Sequence, residues 1–265
     1  MNVIVLSPLD LGLAGALVIV LALISLRMGL HLERQLLLAA LRTTVQLLLI
    51  GLVLKALFSQ VHPGWVALMA GVMLLAAGRE VVGRQKRRFT GLWGFGLGTL
   101  SMFVSSFAIT VLALIVIVGP QPWYEPRYAI PLLGMLLGNT MNGIAIGMDR
   151  LTGSAWDQRT LIEGRLMLGQ TGQQAISHLR SESIRSGLIP IINAMMAAGL
   201  VSLPGMMTGQ ILGGSAPMDA VKYQILIMFL IAGGTGLGTM TAVWLGSKRL
   251  FDERQRLRLD RLRKG

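Results

Sequence analysis

Unbroken apolar runs of nearly membrane-crossing length constrain this sequence more than any other feature. A helix of about 20 apolar residues spans the hydrocarbon core of a bilayer. Runs of that kind recur at about 9–26, 35–58, 64–82, 92–118, 128–148, 188–204 and 218–246. They are continuously apolar rather than alternating, which selects helices over a barrel. With 53% hydrophobic and 14% charged residues, the chain has more apolar surface than a soluble domain of its 265 residues can bury. The expected fold is all-α: a polytopic integral membrane protein of about seven transmembrane helices. The fourth and seventh runs are long enough to require tilt or extension beyond the hydrocarbon. No basic residue precedes the first run and no small-x-small cleavage site follows it, so it is expected to be a span rather than a signal peptide.

A net charge of +12 in a soluble protein would suggest nucleic acid. Here the distribution explains it otherwise. If the N-terminus lies outside, nearly all of the 24 Lys and Arg fall on the cytoplasmic side, and only Lys55, Arg127 and Lys222 face out. That asymmetry sets the expected orientation, N-terminus outside and C-terminus inside, and leaves no basic excess for nucleic acid to explain. Trp65, Trp123, Tyr124, Tyr128 and Tyr223 then fall near the outer interface, with Trp93 and Trp244 near the inner one. The absence of cysteine excludes thiolate chemistry. His31, His62 and His178 lie too far apart for a polyhistidine metal centre.

No linker divides the chain, so 1–265 reads as one transmembrane domain with three distinctive parts. The first is a charged cytoplasmic loop at 149–187. Within it, Ser154-x-x-Asp157 and Thr171-x-x-Gln174 are capping-box patterns that predict helix starts near Ala155 and Gly172. The second is 203–217, uncharged through Gly214 but too rich in glycine for an ordinary span, and expected to be broken or re-entrant around a Pro204-Gly205 hinge. The third is a basic tail at 247–265, expected to be a short helix or a frayed end near anionic lipid.

Catalytic signatures are missing. There is no Walker A sequence, no Ser/His/Asp cluster and no pair of carboxylates. The glycine runs at Gly94-x-Gly96-x-Gly98 and Gly233-Gly234-x-Gly236-x-Gly238 lie inside apolar spans, where close helix packing is the better reading. Glu163 followed by Gly169 matches the skeleton of the Glu-Ala-Ala-x-x-x-Gly loop of ABC-transporter permeases, with Gly164-Arg165 replacing the alanines. Gln170, Thr171 and Gly172 continue in the manner of such loops.

Downstream, Leu203-Pro-Gly-Met-Met-Thr-Gly-Gln-Ile-Leu212, Pro217 and Tyr223-Gln224-Ile225 resemble the FetB/YbbM family, the membrane permease subunits of the Fet-type ABC iron exporter. Ile130-Pro-x-x-Gly-Met-x-x-Gly-Asn139, Arg42-x-x-x-Gln46 and Arg185 before Ile189-Pro190 fit as well, so the resemblance covers the chain from about residue 35. It implies a multi-pass subunit of the bacterial inner membrane that is not itself an enzyme. This subunit would pair with a second copy of itself and with a separate ABC ATPase, and would export iron or another metal ion. ATP and Mg would be bound by the partner, and no cofactor by this chain. Glu163, Gly169, Gln170, Thr171 and Gly172 would couple to the ATPase.

The residues themselves leave the substrate open. Iron favours carboxylate, imidazole or thiolate ligands, which the spans scarcely contain. They offer instead amides and thioethers: Gln46, Asn139, Asn142, Asn193 and Gln210, with Met135, Met206 and Met207. These are the candidate pathway residues. Interhelical hydrogen bonding for the amides and adaptable packing for the methionines stand beside that reading. Metal-binding residues remain unassigned. Two alternatives stand: an ion-coupled secondary transporter, which ordinarily needs mid-membrane carboxylates absent here, and ABC transport of an organic anion or sugar nucleotide.

Overall fold

A computed structural model describes residues 7–59 and 62–264, and the chain forms two compact units. The first comprises α1 (Pro8–Arg27), α2 (Glu33–Ser59) and Leu212–Gly214. Ser7 opens α1 with a reciprocal cap: its hydroxyl accepts from the Asp10 amide and its own amide donates to the Asp10 carboxylate at 2.8 Å. Ser7-x-x-Asp10 is thus a capping box that the sequence reading passed over. Within the described part of this unit only Ala22, Ser25 and Leu57 are buried. Two helices apolar on nearly every face have to be covered by hydrocarbon or by protein.

The second unit holds α3 (Pro63–Gly83), β1 (Arg87–Phe89), α4 (Leu92–Met102), α5 (Ala108–Leu112), α6 (Pro126–Asp157), α7 (Arg159–Met167), α8 (Gly172–Ala175), α9 (Ser177–Ala197), α10 (Gly205–Leu212, but for its last residue), α11 (Pro217–Arg249) and β2 (Leu262–Lys264). Its centre is the mutual packing of α6, α9 and α11, and small residues make that packing close. A Cβ added at Gly187 would stand 2.5 Å from the Gly143 carbonyl oxygen and 2.7 Å from Thr239 Cγ2. One at Gly238 would meet Thr140 Cγ2 at 2.5 Å. Gly143 with Gly147, and Gly234 with Gly238, are small-x-x-x-small pairs that let helix backbones nearly touch where lipid offers no hydrophobic drive to association. Gly94 and Gly98 also sit in tight contact, against Phe89 and Val81, whereas Gly96 and Gly236 face open space.

The fourth expected span is fully helical over Leu92–Val118 but not uniformly α. Phe103–Phe107 and Ala113–Val118 are π-helical on either side of α5. A π turn widens the helix and shifts its face, and here it brings Ser105 and Ser106 inward together.

Six helices among the described residues are long and apolar enough to cross a membrane. The expected span 188–204 is not among them. α9 begins in charged sequence at Ser177, ends at Ala197, and gives way to a turn with Gly199 at φ +82° before α10. The 203–217 segment is a short helix bracketed by turns, with Gly214 at φ +96° closing it.

Two local expectations are overturned. Ser154 does not start a helix; it lies inside α6, which runs on to Asp157. The buried face of Ile144, Met148, Leu151 and Ala155 recurs at helical spacing and carries the helix past the capping pattern. The tail is neither one short helix nor a frayed end, and past α11 its only helical piece among the described residues is a 3-10 turn at Leu259–Arg261. After α11, Phe251 bridges to Leu257, and β2 pairs antiparallel with β1, Phe89 opposite Leu262. Leu250, Phe251 and Leu262 are buried in the core with Phe89, Ala175 and Ile176. Leu257, Leu259 and Leu262 lie among the arginines of the tail, and this apolar component is the signal that charge alone obscured.

Candidate functional site

α10 and the N-terminal halves of α6 and α11 line a cavity of about 180 Å³. Met135, Met206 and Gln210 of the expected pathway set line it, together with Arg127, Tyr128 and Tyr223. Gln210 Oε1 is buried and has no hydrogen-bond partner. An unpartnered amide oxygen in apolar surroundings costs about 1–3 kcal/mol, so its retention calls for a use. Pro131 lines the same cavity from inside α6. Lacking an N–H, it deprives the Arg127 carbonyl of its helical donor, which adds a second oxygen acceptor to the neighbourhood.

The other expected pathway residues lie elsewhere. Asn139 donates from Nδ2 to the Met135 carbonyl one turn back, at 2.8 Å, an intrahelical bond rather than an interhelical one. Asn142 accepts a hydrogen bond from Arg84 Nη1 in a separate, polar cavity of about 410 Å³. That cavity is also lined by Asp149, Arg150 and Ser186, and Pro190 leaves the Ser186 carbonyl without a helical donor in the same way. Asp149 accepts from the Lys86 amide at 2.7 Å. Asn193 is exposed on α9, Met207 is half-buried outside the Gln210 cavity, and Gln46 is exposed on α2 of the first unit. Pro204 and Gly205 lead directly into α10, with the Pro204 carbonyl accepting from the Thr208 amide at 3.1 Å. No group of three or more His, Asp or Glu able to hold a metal occurs among the described residues.

A polar seam that the sequence reading missed lies among the helical segment 101–110, α6 and α11. Ser106 donates to Thr140 Oγ1 at 3.3 Å, beside Ser105, Thr110 and Thr235, all buried. Ser101, Thr235 and Thr239 each keep a buried hydroxyl oxygen without a partner. Its signal was legible: four hydroxyl residues in an otherwise apolar run between 101 and 110.

The expected coupling residues come together around α7 and α8. Thr171 caps α8 as predicted, accepting from the Gln174 amide while its own amide donates to Gln174 Oε1 at 2.9 Å. Gly169 turns the chain at φ +86°, a conformation that disfavours any side chain. Gly172 is clamped by the tail. Its amide donates to Gln255 Oε1 at 2.7 Å, and an added Cβ would lie 2.6 Å from the Phe251 ring. Arg165 donates to the Ala175 carbonyl at 3.1 Å, tying α7 to α8. Glu163 and Gln170 line a cavity of about 400 Å³ with Arg254 and Arg256 of the tail. Within this frame Met167 and Leu168 are each 84% exposed, although the surrounding sequence is charged.

The tail's own charges fix its course. Arg258 donates twice to the Asp260 carboxylate at 2.8 Å, holding its pKa down at about 2. Backbone hydrogen bonding from Arg256 lowers that of Asp252.

The uncharacterised protein family UPF0014 matches residues 8–251. The chain is 41% identical to the UPF0014 membrane protein slr1647 of Synechocystis over 93% of both chains. It is 34% identical to the probable iron export permease protein FetB of Escherichia coli over 96% of both. It is also 34% identical to the protein ALUMINUM SENSITIVE 3 of Arabidopsis thaliana over 88% of this chain and 84% of that one. No solved structure matches.

Proposed function

The chain belongs to the UPF0014 family of membrane proteins, and we propose that it is the permease subunit of an ABC transporter that exports iron or another metal ion. In this reading it lies in the bacterial inner membrane with its N-terminus outside and its C-terminus inside. It works as a homodimer with two copies of a separate ATPase, which binds ATP and Mg. The observation that carries the proposal is the α7–α8 frame. Met167 and Leu168 form an exposed apolar knob on a scaffold braced by Arg165, Thr171 and the tail, and continuous with α9. An apolar knob held rigidly in water suits a groove in a partner protein. Closure of that partner would push α8 and α9, and the Gly143–Gly187 contact would pass the motion to α6, which lines the Gln210 cavity.

The test is reconstitution with the candidate ATPase in liposomes, measuring ATP hydrolysis and transport across Fe(II), Cu(I), Mn(II), Zn(II) and organic anions. Stimulation by one metal that is lost on changing Gln210 supports the reading. Transport without any ATPase would replace it with the secondary-transporter alternative. A second substrate reading draws on Arg127, which lines the Gln210 cavity and has the Glu125 carboxylate 4.0 Å from its Nε. So long a pair leaves the guanidinium able to meet an organic anion or an anionic metal chelate rather than a bare cation. Stimulation by the anions alone would select it.

A further inference from the structure

Between the first turns of α4 and the last turn of α11 lies a groove of about 610 Å³, the size of a pocket that encloses a substantial ligand. Its wall is apolar along Trp93, Gly96 and Leu100 and cationic at Lys248, Arg249 and Arg261, with no carboxylate. The cations are held in place by aromatic rings and backbone. The Arg249 guanidinium lies 4.4 Å from the centre of the Trp93 ring, and Lys248 Nζ 3.6 Å from that of Trp244. Arg261 Nη1 donates to the Arg249 and Phe251 carbonyls at 2.8 and 3.2 Å. Among the described residues no carboxylate is in ion-pair contact with Lys248, Arg249 or Arg261; Asp260, engaged by Arg258, acts on Arg261 from outside the groove wall, and the charges acting on Arg249 are Arg258 and Arg261, of its own sign.

Both walls belong to helices long and apolar enough to span a membrane, and the cations stand at the helix ends beside exposed tryptophans. This is the composition of an interfacial site, with hydrocarbon on one side and headgroups on the other. A soluble anion would leave the leucine and tryptophan wall uncovered. A zwitterionic lipid would bring its own ammonium against three cations. We propose that the groove binds an anionic phospholipid of the phosphatidylglycerol type, with the phosphate between Lys248, Arg249 and Arg261 and one acyl chain along Gly96 and Leu100. The proposal rests on the membrane character of the chain and is independent of the transport reading.

The test uses the full chain in detergent with equimolar dioleoylphosphatidylglycerol and dioleoylphosphatidylcholine, and native mass spectrometry of retained lipid. The anionic lipid should be retained over the zwitterionic one by roughly tenfold. Lys248→Gln/Arg249→Gln should bring that preference to within about twofold by removing two cations. Gly96→Trp should do the same by filling the groove, since nothing lies within 4 Å of a Cβ there. In the unaltered chain, phosphatidylglycerol brominated along its acyl chains should quench tryptophan fluorescence more than brominated phosphatidylcholine, a readout that needs no variant to fold. Equal retention of the two lipids, or a preference surviving both variants, would overturn the proposal. So would soluble glycerophosphoglycerol competing as well as the intact lipid, which would make this an anion site. Loss of a dimer in Gly96→Trp with lipid retention unchanged would assign the groove to a second copy instead.

Discussion

Gly187→Ala tests whether the α6–α9–α11 contact is as tight as it looks. The added methyl would sit 2.5 Å from the Gly143 carbonyl oxygen, about 0.9 Å inside ordinary contact, with Thr239 Cγ2 at 2.7 Å on its other side. Neither neighbour is the free end of a flexible side chain, so the helices themselves have to separate. A gap of 0.5–1 Å forfeits about a quarter to a half of each dispersion contact along the seam. Overpacking of this kind costs about 1–3 kcal/mol, and a clash with backbone belongs at the top of that range. At about 3 kcal/mol the melting temperature should fall by roughly 6–12 °C for a chain of this size. Gly236→Ala is the matched control, because nothing lies within 4 Å of its Cβ. There, relief of the glycine penalty in a helix should stabilise by roughly 0.5–1 kcal/mol. Thermal unfolding of the purified protein in one detergent, followed by tryptophan fluorescence, reads both. The packing argument fails if Gly187→Ala melts within 2 °C of the unaltered chain, or if Gly236→Ala is equally harmful.

Four further outcomes follow from the same geometry. Gln210→Leu removes a buried oxygen that has no partner, so it should raise stability by about 1 kcal/mol while abolishing substrate-stimulated ATPase in the reconstituted complex. A rise in stability with transport intact would return Gln210 to the role of packing. Gly172→Leu drives a side chain into the Phe251 ring, and should uncouple ATP hydrolysis from transport while leaving Met167 and Leu168 in place; unchanged coupling would refute the clamp. Ending the chain at Arg249 strips Leu250, Phe251 and Leu262 from the core, and should lower the melting temperature by more than 5 °C, a loss of about 2 kcal/mol or more. A mere topology anchor would show no such loss. As for pH, the Asp260 carboxyl is held well below its ordinary value, so its contribution is complete above about pH 4 and fades as pH falls towards 2. Amide exchange over 258–264 should therefore be constant from pH 7 to 4.5 once corrected for intrinsic rates, and should accelerate below 4.

What the sequence disclosed depends on the range over which each signal acts. Apolar runs of span length are local, so six helices long and apolar enough to cross a membrane, and the Leu92–Val118 boundaries, could be read directly from residue type. The Thr171 cap is equally local, because four residues contain both partners of the box. Ser154 carries the same four-residue pattern and fails, because Ser154 is itself buried inside α6 and the core positions on either side outweigh one cap. The tail fails for the complementary reason. Its strand exists only because Phe89, more than 170 residues upstream, offers Leu262 a partner, and no window on the tail contains that partner. The candidate pathway divides in the same way. Met135 of α6 and Met206 and Gln210 of α10 share a cavity, a meeting of distant segments that no local window contains, whereas Asn139 spends its donor on its own helix. Residue type nominated the polar groups in apolar spans. Only tertiary contact could separate an amide with a partner from one without, and Gln210 is the member of the expected set left with a buried oxygen unpaired. A membrane helix can satisfy an asparagine by bending the side chain back one turn, so an intramembrane amide becomes evidence of a pathway only when that option has gone unused.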